Sequence, residues 1–383
     1  MKLRPACLIL AAASFASACA SSQIVEIRLF DGETLTGKLD LPDTSGPVKE
    51  VVVFIHGTGP GTYLDRRKIS TKEFNYFDLF ATEFNKRGIG FFSYSKRGVT
   101  LGTEPPTFET IDRVKFAKVV PSVEVKDIAS VVSFLKGRDR LAQAKIVLLG
   151  WSEGTILAAM AAENPKSGID ALLLAGYANE NLYDVIQWQY SGASSMLNLS
   201  PIFDADGNGA ISNDEYASTD EKIAGYRKAA LGDAKFEQLD VDKDGALTTA
   251  DFRLIVAGRY KALLDAVQRD DDAWVWDNFF HVSVAWLKEH FALEANKTRL
   301  LKLDLPISIF HGERDANCPA AGVADIRRRF EVAGKHNLET HLFAEHNHDL
   351  NYLDTVFKER IPAGIAAIFD EAEKLAREAR PGG

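Results

Sequence analysis

Cysteine is scarce in this chain, with three among 383 residues, so no disulfide framework holds the fold together. Positive charge is in deficit too: 45 Lys and Arg stand against 54 Asp and Glu, a formal charge of −9, which argues against nucleic acid as a partner. The apolar run near the N-terminus, about 15 residues, is too short to span a bilayer comfortably. Apolar residues are not lacking overall. They make up 46% of the chain, which excludes a disordered or fibrous protein and, at this length, fits one large domain carrying an insertion.

The opening "MKLRPACLILAAASFASACASS" sets Lys2 and Arg4 ahead of that apolar run and reads as an export signal over residues 1–18. "ASAC" resembles a bacterial lipobox, which makes Cys19 the lipidated first residue of the mature chain, although Ala16 stands where a larger aliphatic residue is commoner. Plain cleavage after Ala18 or Ala20 is the alternative. The expected location is the cell envelope or periplasm, held by a lipid, or else soluble and secreted. Cys7 leaves with the signal, and Cys318 in "RDANCP" is expected to pack beside a functional loop, not to act as a nucleophile.

Strand-like runs "VVVFIHG", "GIGFFSYS", "KIVLLG", "ALLLAGY", "PISIFHG" and "ETHLFAE" alternate with helical stretches after an initial hairpin signal at Asp31-Gly32. That order predicts an α/β fold, a mostly parallel sheet with helices on both faces. No internal repeat spans these segments. "GWSEG" follows one of the buried-strand runs and precedes a small-residue helix, so Ser152 is placed as a nucleophile at a strained strand-to-helix turn. A serine hydroxyl needs a base. "HLFAEHNHDL" offers His341 inside a strand and His346 and His348 on the loop beyond it; His348 has the favoured spacing. Asp315, in "HGERDANCP", supplies the acid, with Glu313 as its competitor.

The order Ser152, Asp315, His348 is that of an α/β-hydrolase, not of the chymotrypsin or subtilisin arrangements. An oxyanion requires preorganised donors; the expected ones are the backbone N–H of Glu153 and that of Thr58 in "HGTGPG", a loop without the lysine of a phosphate-binding P-loop. With "VVVFIHGTGP", "YSKRGV", "LLGWSEG", "HGERDANCP" and "HNHDL", the chain resembles the α/β-hydrolase superfamily. It is most similar to the dienelactone-hydrolase and serine-aminopeptidase-like esterases. Ser95 stands where those relatives often carry Asp, Thr100 where they carry Gly, and Trp151 where they carry His.

Between the two halves of that pattern lie two acidic stretches, "DADGNGAISNDE" and "DVDKDGALTTAD". A hard cation takes six to eight oxygen ligands from a loop of about 12 residues. The first loop offers Asp204, Asp206, Asn208, the carbonyl of Ala210, Ser212 and Glu215; the second offers Asp240, Asp242, Asp244, the carbonyl of Ala246, Thr248 and Asp251. Gly209 and Gly245 supply the turn. The two loops resemble a paired EF-hand domain binding calcium at two sites, the second weaker because Asp251 replaces a longer Glu. Ile211 and Leu247 are expected to join the loops, an exiting helix to run from Asp214 to Leu231, and Pro201 to leave the entering helix short or irregular.

The expected organisation is therefore a first hydrolase segment over 24–180, a cap over 181–299 that contains the loop pair, and a second hydrolase segment over 300–378. Trp188, Trp274, Trp276 and Trp286, with Phe279, Phe280 and Phe291, form an aromatic stripe in the cap, mostly for packing, with one or two facing substrate. The expected function is cleavage of carboxylic esters by a Ser-His-Asp triad under a calcium-stabilised cap, with no organic cofactor. A serine peptidase or aminopeptidase acting on amides, and a non-catalytic calcium-binding envelope protein, are the alternatives.

Overall fold

The computed structural model describes residues 21–378; Cys7, the expected export signal over 1–18 and Cys19 lie outside them. Eight strands form the main sheet: β1 (Ser21–Arg28), β2 (Thr34–Leu41), β3 (Glu50–Ile55), β4 (Gly90–Tyr94), β5 (Lys145–Trp151), β6 (Ala171–Ala175), β7 (Ile307–Gly312) and β8 (Leu338–Phe343). Their spatial order is β1-β2-β4-β3-β5-β6-β7-β8. Only β1–β2 and β2–β4 pair antiparallel; the rest of the sheet is parallel.

The central strands are apolar at most positions because both of their faces are covered; Glu50 and Lys145 stand at the first positions of β3 and β5. Along β3, Val51, Val53 and Ile55 enter one core and Val52 and Phe54 the other. The first core is closed by Ile128, Val131 and Leu135 of α2 (Pro121–Lys136), by Leu157 of α3 (Glu153–Ala162) and by Ile326 and Phe330 of α9 (Ala321–Val332). The second is closed by Phe77, Phe80 and Phe84 of α1 (Tyr76–Lys86) and by Ile365, Ile368 and Phe369 of α10 (Ala363–Arg377). The 3.6-residue period of these helices puts such positions on one stripe.

Between β6 and β7 the chain leaves the sheet to build α4 (Leu182–Gln189), α5 (Ala193–Phe203), α6 (Thr249–Gln268), α7 (Asp272–Asn278) and α8 (Val284–Ala292). Two apolar clusters organise this insertion. Leu182, Val185, Leu263, Val275, Val284, Trp286 and Leu287 pack with Ile156 and Cys318 of the sheet domain. Met196, Leu199, Phe203, Ile211, Tyr216, Leu239, Leu247 and Phe252 form a separate cluster around the two acidic loops.

Two expectations for this region need correction. The helix foreseen from Asp214 to Leu231 is broken into Asn213–Tyr216 and Glu221–Leu231. Asp220 starts the second piece by accepting from the N–H groups of Lys222 and Ile223, and Arg227 donates to the freed carbonyls of Tyr216 and Ser218, so the break leaves these groups satisfied. The entering helix α5 runs unbroken through Pro201. Burial of Met196, Leu199 and Phe203 along one side outweighs the hydrogen bond that proline removes. Among the described residues no helix is long and apolar enough to cross a membrane.

Candidate functional site

Ser152 sits between the end of β5 and the start of α3 with φ 57° and ψ −122°, a conformation costly for a residue with a Cβ and held only where the surroundings fix it. They do so by backbone contact. A Cβ on Gly154 would lie 2.2 Å from the Ile55 carbonyl oxygen, and one on Gly150 would lie 2.4 Å from the Gly154 oxygen. The loop after β3 passes as closely: a Cβ on Gly57 would meet Ser152 Cβ at 3.2 Å. Glycine at these positions lets the 55–57 segment and the 150–154 turn close on each other around Ser152.

Asp315 and His348 are brought together from the loops after β7 and β8. Asp315 Oδ2 accepts from His348 Nδ1 at 2.8 Å, while its Oδ1 accepts from the N–H groups of Asn317 and Cys318, each at 2.8 Å. Ser152 and His348 line one cavity of about 270 Å³, together with Gly57, Thr58 and Glu153. The other candidates are held elsewhere. His346 Nδ1 faces the Ala344 carbonyl and its Nε2 accepts from Gly364 N–H; His341 stacks on Phe310; Glu313 is exposed.

Burial lowers the His348 pKa, but the Asp315 carboxylate more than offsets it, so the ring is a stronger base than an ordinary imidazole. Burial raises Asp315, and His348 and the backbone donors bring it below the usual carboxylate range. Cys318 is a buried free thiol, pushed well up by burial and thus unreactive; its contribution is the N–H it gives to Asp315.

The alpha/beta hydrolase fold family model matches residues 50–348. The chain belongs to that family. The hydrolase is similar in structure to a thermostable carboxyl esterase from Bacillus coagulans, at 14% identity and a TM-score of 0.52, covering 94% of this chain and 100% of that one. It is also similar to an esterase from Pyrococcus furiosus, at 13% identity and a TM-score of 0.47 over 92% of this chain and 91% of that one. An acylaminoacyl peptidase from Pyrococcus horikoshii aligns at 13% identity and a TM-score of 0.49, over 95% of this chain and 43% of that one. At this identity the first of these speaks for the fold alone, and the other two carry no argument. A comparison with curated protein sequences gave no match.

A second cavity of the hydrolase, about 300 Å³, shares Gly57, Thr58, Trp151 and Asp349 with the first and is walled by Phe54, Phe74, Tyr76 and Tyr352. Trp151 therefore shapes both compartments. Asp65 in the wall pairs with Arg67, yet burial pushes its carboxyl up to about 6. Of the cap aromatics, Phe279 and Phe280 line the cavity at Ser152; no cap tryptophan does. The expected stripe is spread over α4, α7, α8 and the loop between the last two.

In the insertion between β6 and β7, each acidic loop folds around its own carboxylates. Asp204 accepts from Asn208 and Gly209 N–H at 3.1 and 3.0 Å, and Asp240 accepts from Asp244 and Gly245 N–H at 3.1 and 3.2 Å. Glu215 accepts from Ala205 and Ser212 N–H, each at 2.8 Å, and Asp251 from Val241 and Thr248 N–H at 2.8 and 2.9 Å. Ile211 pairs with Leu247 across a two-stranded ribbon. Carboxylate oxygens of Asp204, Asp206 and Glu215, and of Asp240, Asp242 and Asp251, lie within 4.8 Å of one another. That all-oxygen convergence suits a hard cation. Asn208, Ala210, Ser212, Asp244, Ala246 and Thr248 occupy the remaining loop positions.

Buried charges beside Ser152 were not foreseen. Glu153, placed in the sequence for its backbone N–H, has a fully buried side chain that accepts from Trp286 Nε1 at 3.1 Å and His290 Nε2 at 2.8 Å. Lys96 and Glu124 lie beside it. The signal available was a lysine at the end of an apolar strand, "FFSYSK".

Titration of the His348 ring by NMR should give a pKa above the ordinary imidazole value. Asp315→Asn should bring it down, because burial is then opposed only by the smaller effect of Asp349. An unchanged value in that variant would show that the carboxylate does not set the base.

Proposed function

We propose that this protein is a serine hydrolase cleaving carboxylic esters under a calcium-stabilised cap. The observation that carries the reading is the Asp315–His348 hydrogen bond of 2.8 Å, made beside the one cavity that also holds Ser152 at its strained turn. In this reading His348 Nε2 takes the Ser152 proton as Oγ adds to the ester carbonyl. The new oxyanion is held by the N–H groups of Thr58 and Glu153, the second at the first turn of α3. Collapse expels the alkoxide, which takes the proton from His348, and leaves an acyl group on Ser152. Water, deprotonated by His348, then attacks the acyl carbonyl, and the proton returns to Ser152 as the acid departs. Asp315 keeps Nε2 as the accepting nitrogen and stabilises the imidazolium. The two compartments that meet at Trp151 give room for groups on both sides of the scissile bond.

In the cap, calcium would be held by the two sets of loop residues. The longer arm of Glu215 favours two-oxygen coordination over Asp251, so the second site is the weaker in this proposal. Outside the cytoplasm such sites stay filled, and at ten to a hundred times the dissociation constant each adds roughly 1.4 to 2.7 kcal/mol to the folded state. Export, and lipid anchoring through Cys19, belong to the same proposal and rest on the N-terminal sequence.

Turnover of short-chain aryl esters should vanish in Ser152→Ala, and a fluorophosphonate should label the wild type at Ser152 alone. Wild-type protein that neither turns over esters or aminoacyl amides nor takes the label would remove the hydrolase reading. Separately, a chelator should lower the melting temperature of the wild type, and Glu215→Gln should shrink that effect. A melting temperature indifferent to chelator would contradict the structural role of calcium.

A further inference from the structure

A backbone oxyanion donor has a reverse side. In a trans peptide the C=O and N–H point in opposite directions, so if the Thr58 N–H faces the reacting oxygen, the Gly57 carbonyl of the same peptide faces away from it. A buried carbonyl needs a donor. Lys96 provides one: its Nζ donates to Gly57 O at 2.8 Å, and its backbone N–H donates to Gly61 O at 2.9 Å. One residue thereby fixes both ends of the 57–61 loop.

Lys96 also answers an electrostatic difficulty. Glu153, the residue after the nucleophile, carries a carboxyl with no exposed side-chain surface, and a negative charge there would oppose the negative charge of an oxyanion. Lys96 Nζ lies 3.9 Å from Glu153 Oε2 and 2.9 Å from Glu124 Oε1 of α2, and is itself only 4% exposed. Burial raises the Glu153 carboxyl, but Lys96 and the hydrogen-bonded His290 outweigh burial and hold it below the usual range. Burial likewise lowers Lys96, and Glu124 and Glu153 more than restore it. At full ionisation one lysine faces two carboxylates. Glu124, raised by burial to about 7, is the one that gives way. An ionised Glu153 accepts hydrogen bonds only, so His290 Nε2 and Trp286 Nε1 donate to it, both from the cap helix α8.

We propose that Lys96 is a positioning residue for the oxyanion site: it turns the Thr58 N–H toward the substrate by holding Gly57 O from behind, and it offsets the Glu153 charge beside Ser152. The ammonium also polarises the Gly57–Thr58 peptide, which strengthens its N–H as a donor. The contribution is made to the transition state and not to ground-state binding, because only there does the substrate oxygen carry charge. This inference rests on the serine-hydrolase reading above.

The test compares wild type, Lys96→Met, Lys96→Arg and Ser152→Ala on one aryl ester, with a trifluoromethyl ketone as the probe of the oxyanion and the product acid as the probe of ground-state binding. Lys96→Met should lower kcat by about 100-fold, the scale of a lost oxyanion donor, with KM changed by less than about 3-fold. The trifluoromethyl ketone should weaken in parallel and the product acid should not. Lys96→Arg should recover most of the loss. Should Lys96→Met not fold with two buried carboxyl groups deprived of their ammonium, Lys96→Met with Glu124→Gln removes one of them and is measured in its place. A folded variant with unchanged kcat and unchanged ketone affinity, or a loss confined to KM, would overturn the role of Lys96. If Ser152→Ala keeps its turnover, the hydrolase reading itself fails; if it is inactive while the Lys96 variant keeps wild-type kcat and ketone affinity, only the inference fails.

Discussion

The 55–57 segment and the 150–154 turn close on each other around Ser152, with glycine at the points of contact. The turn from β5 into α3 holds its serine at a positive φ, the Ile55 carbonyl would lie 2.2 Å from any Cβ on Gly154, and Gly57 runs close beside the serine itself. Strain in the turn is borne by the sheet, because β3 and β5 are neighbours with Ile55 in register with Gly150. The close approach that forces glycine also puts the Gly57–Thr58 peptide beside the serine. Geometry of the turn and geometry of the 57–61 loop are therefore one constraint. A side chain on Gly150 or Gly154 would disturb both together.

The insertion between β6 and β7 meets the sheet domain at places that matter to that constraint. Ser194 Oγ donates to Ala316 O at 2.5 Å and Gln189 Nε2 to Asn317 O at 2.9 Å, which brace the loop that carries Asp315. Trp286 and His290 grip Glu153. Phe280 lies over the 57–61 loop, its carbonyl oxygen 3.3 Å from where a Cβ on Gly59 would stand. The acidic loop pair is joined to these contacts through α5 and α6, which flank it, and Arg259 of α6 donates to Asn278 O just before Phe279 and Phe280. A cation that ordered the loops would act on the same body that shapes the cavity.

Much of this was legible locally. Strand runs, the glycines around Ser152, the histidine loop and the acidic positions of the two loops are short-range patterns, and short-range patterns survive in a single sequence. The fold class followed from their order. Where reading failed, a distant partner decided the outcome. Lys96 meets Gly57, Glu124 and Glu153, and Glu153 meets His290, 137 residues away in sequence; no spacing rule joins them. Pro201 suggested an irregular helix, but burial of Phe203 and its neighbours kept α5 whole. Asp220 instead divided the helix that looked continuous, through a cap that periodicity does not reveal. The aromatic residues of the insertion were visible as a group, yet which of them face the cavity depended on how α7 and α8 dock.

The central claim is that Ser152, Thr58 and Glu153 act on one carbonyl. It is tested most directly by a crystal structure with a trifluoromethyl ketone bound. The account predicts a bond from Ser152 Oγ to the ketone carbon, with the resulting oxyanion within hydrogen-bond distance of both the Thr58 and Glu153 N–H groups and Lys96 still on Gly57 O. A ketone bound without that covalent bond, or with its oxygen turned away from both N–H groups, would contradict it.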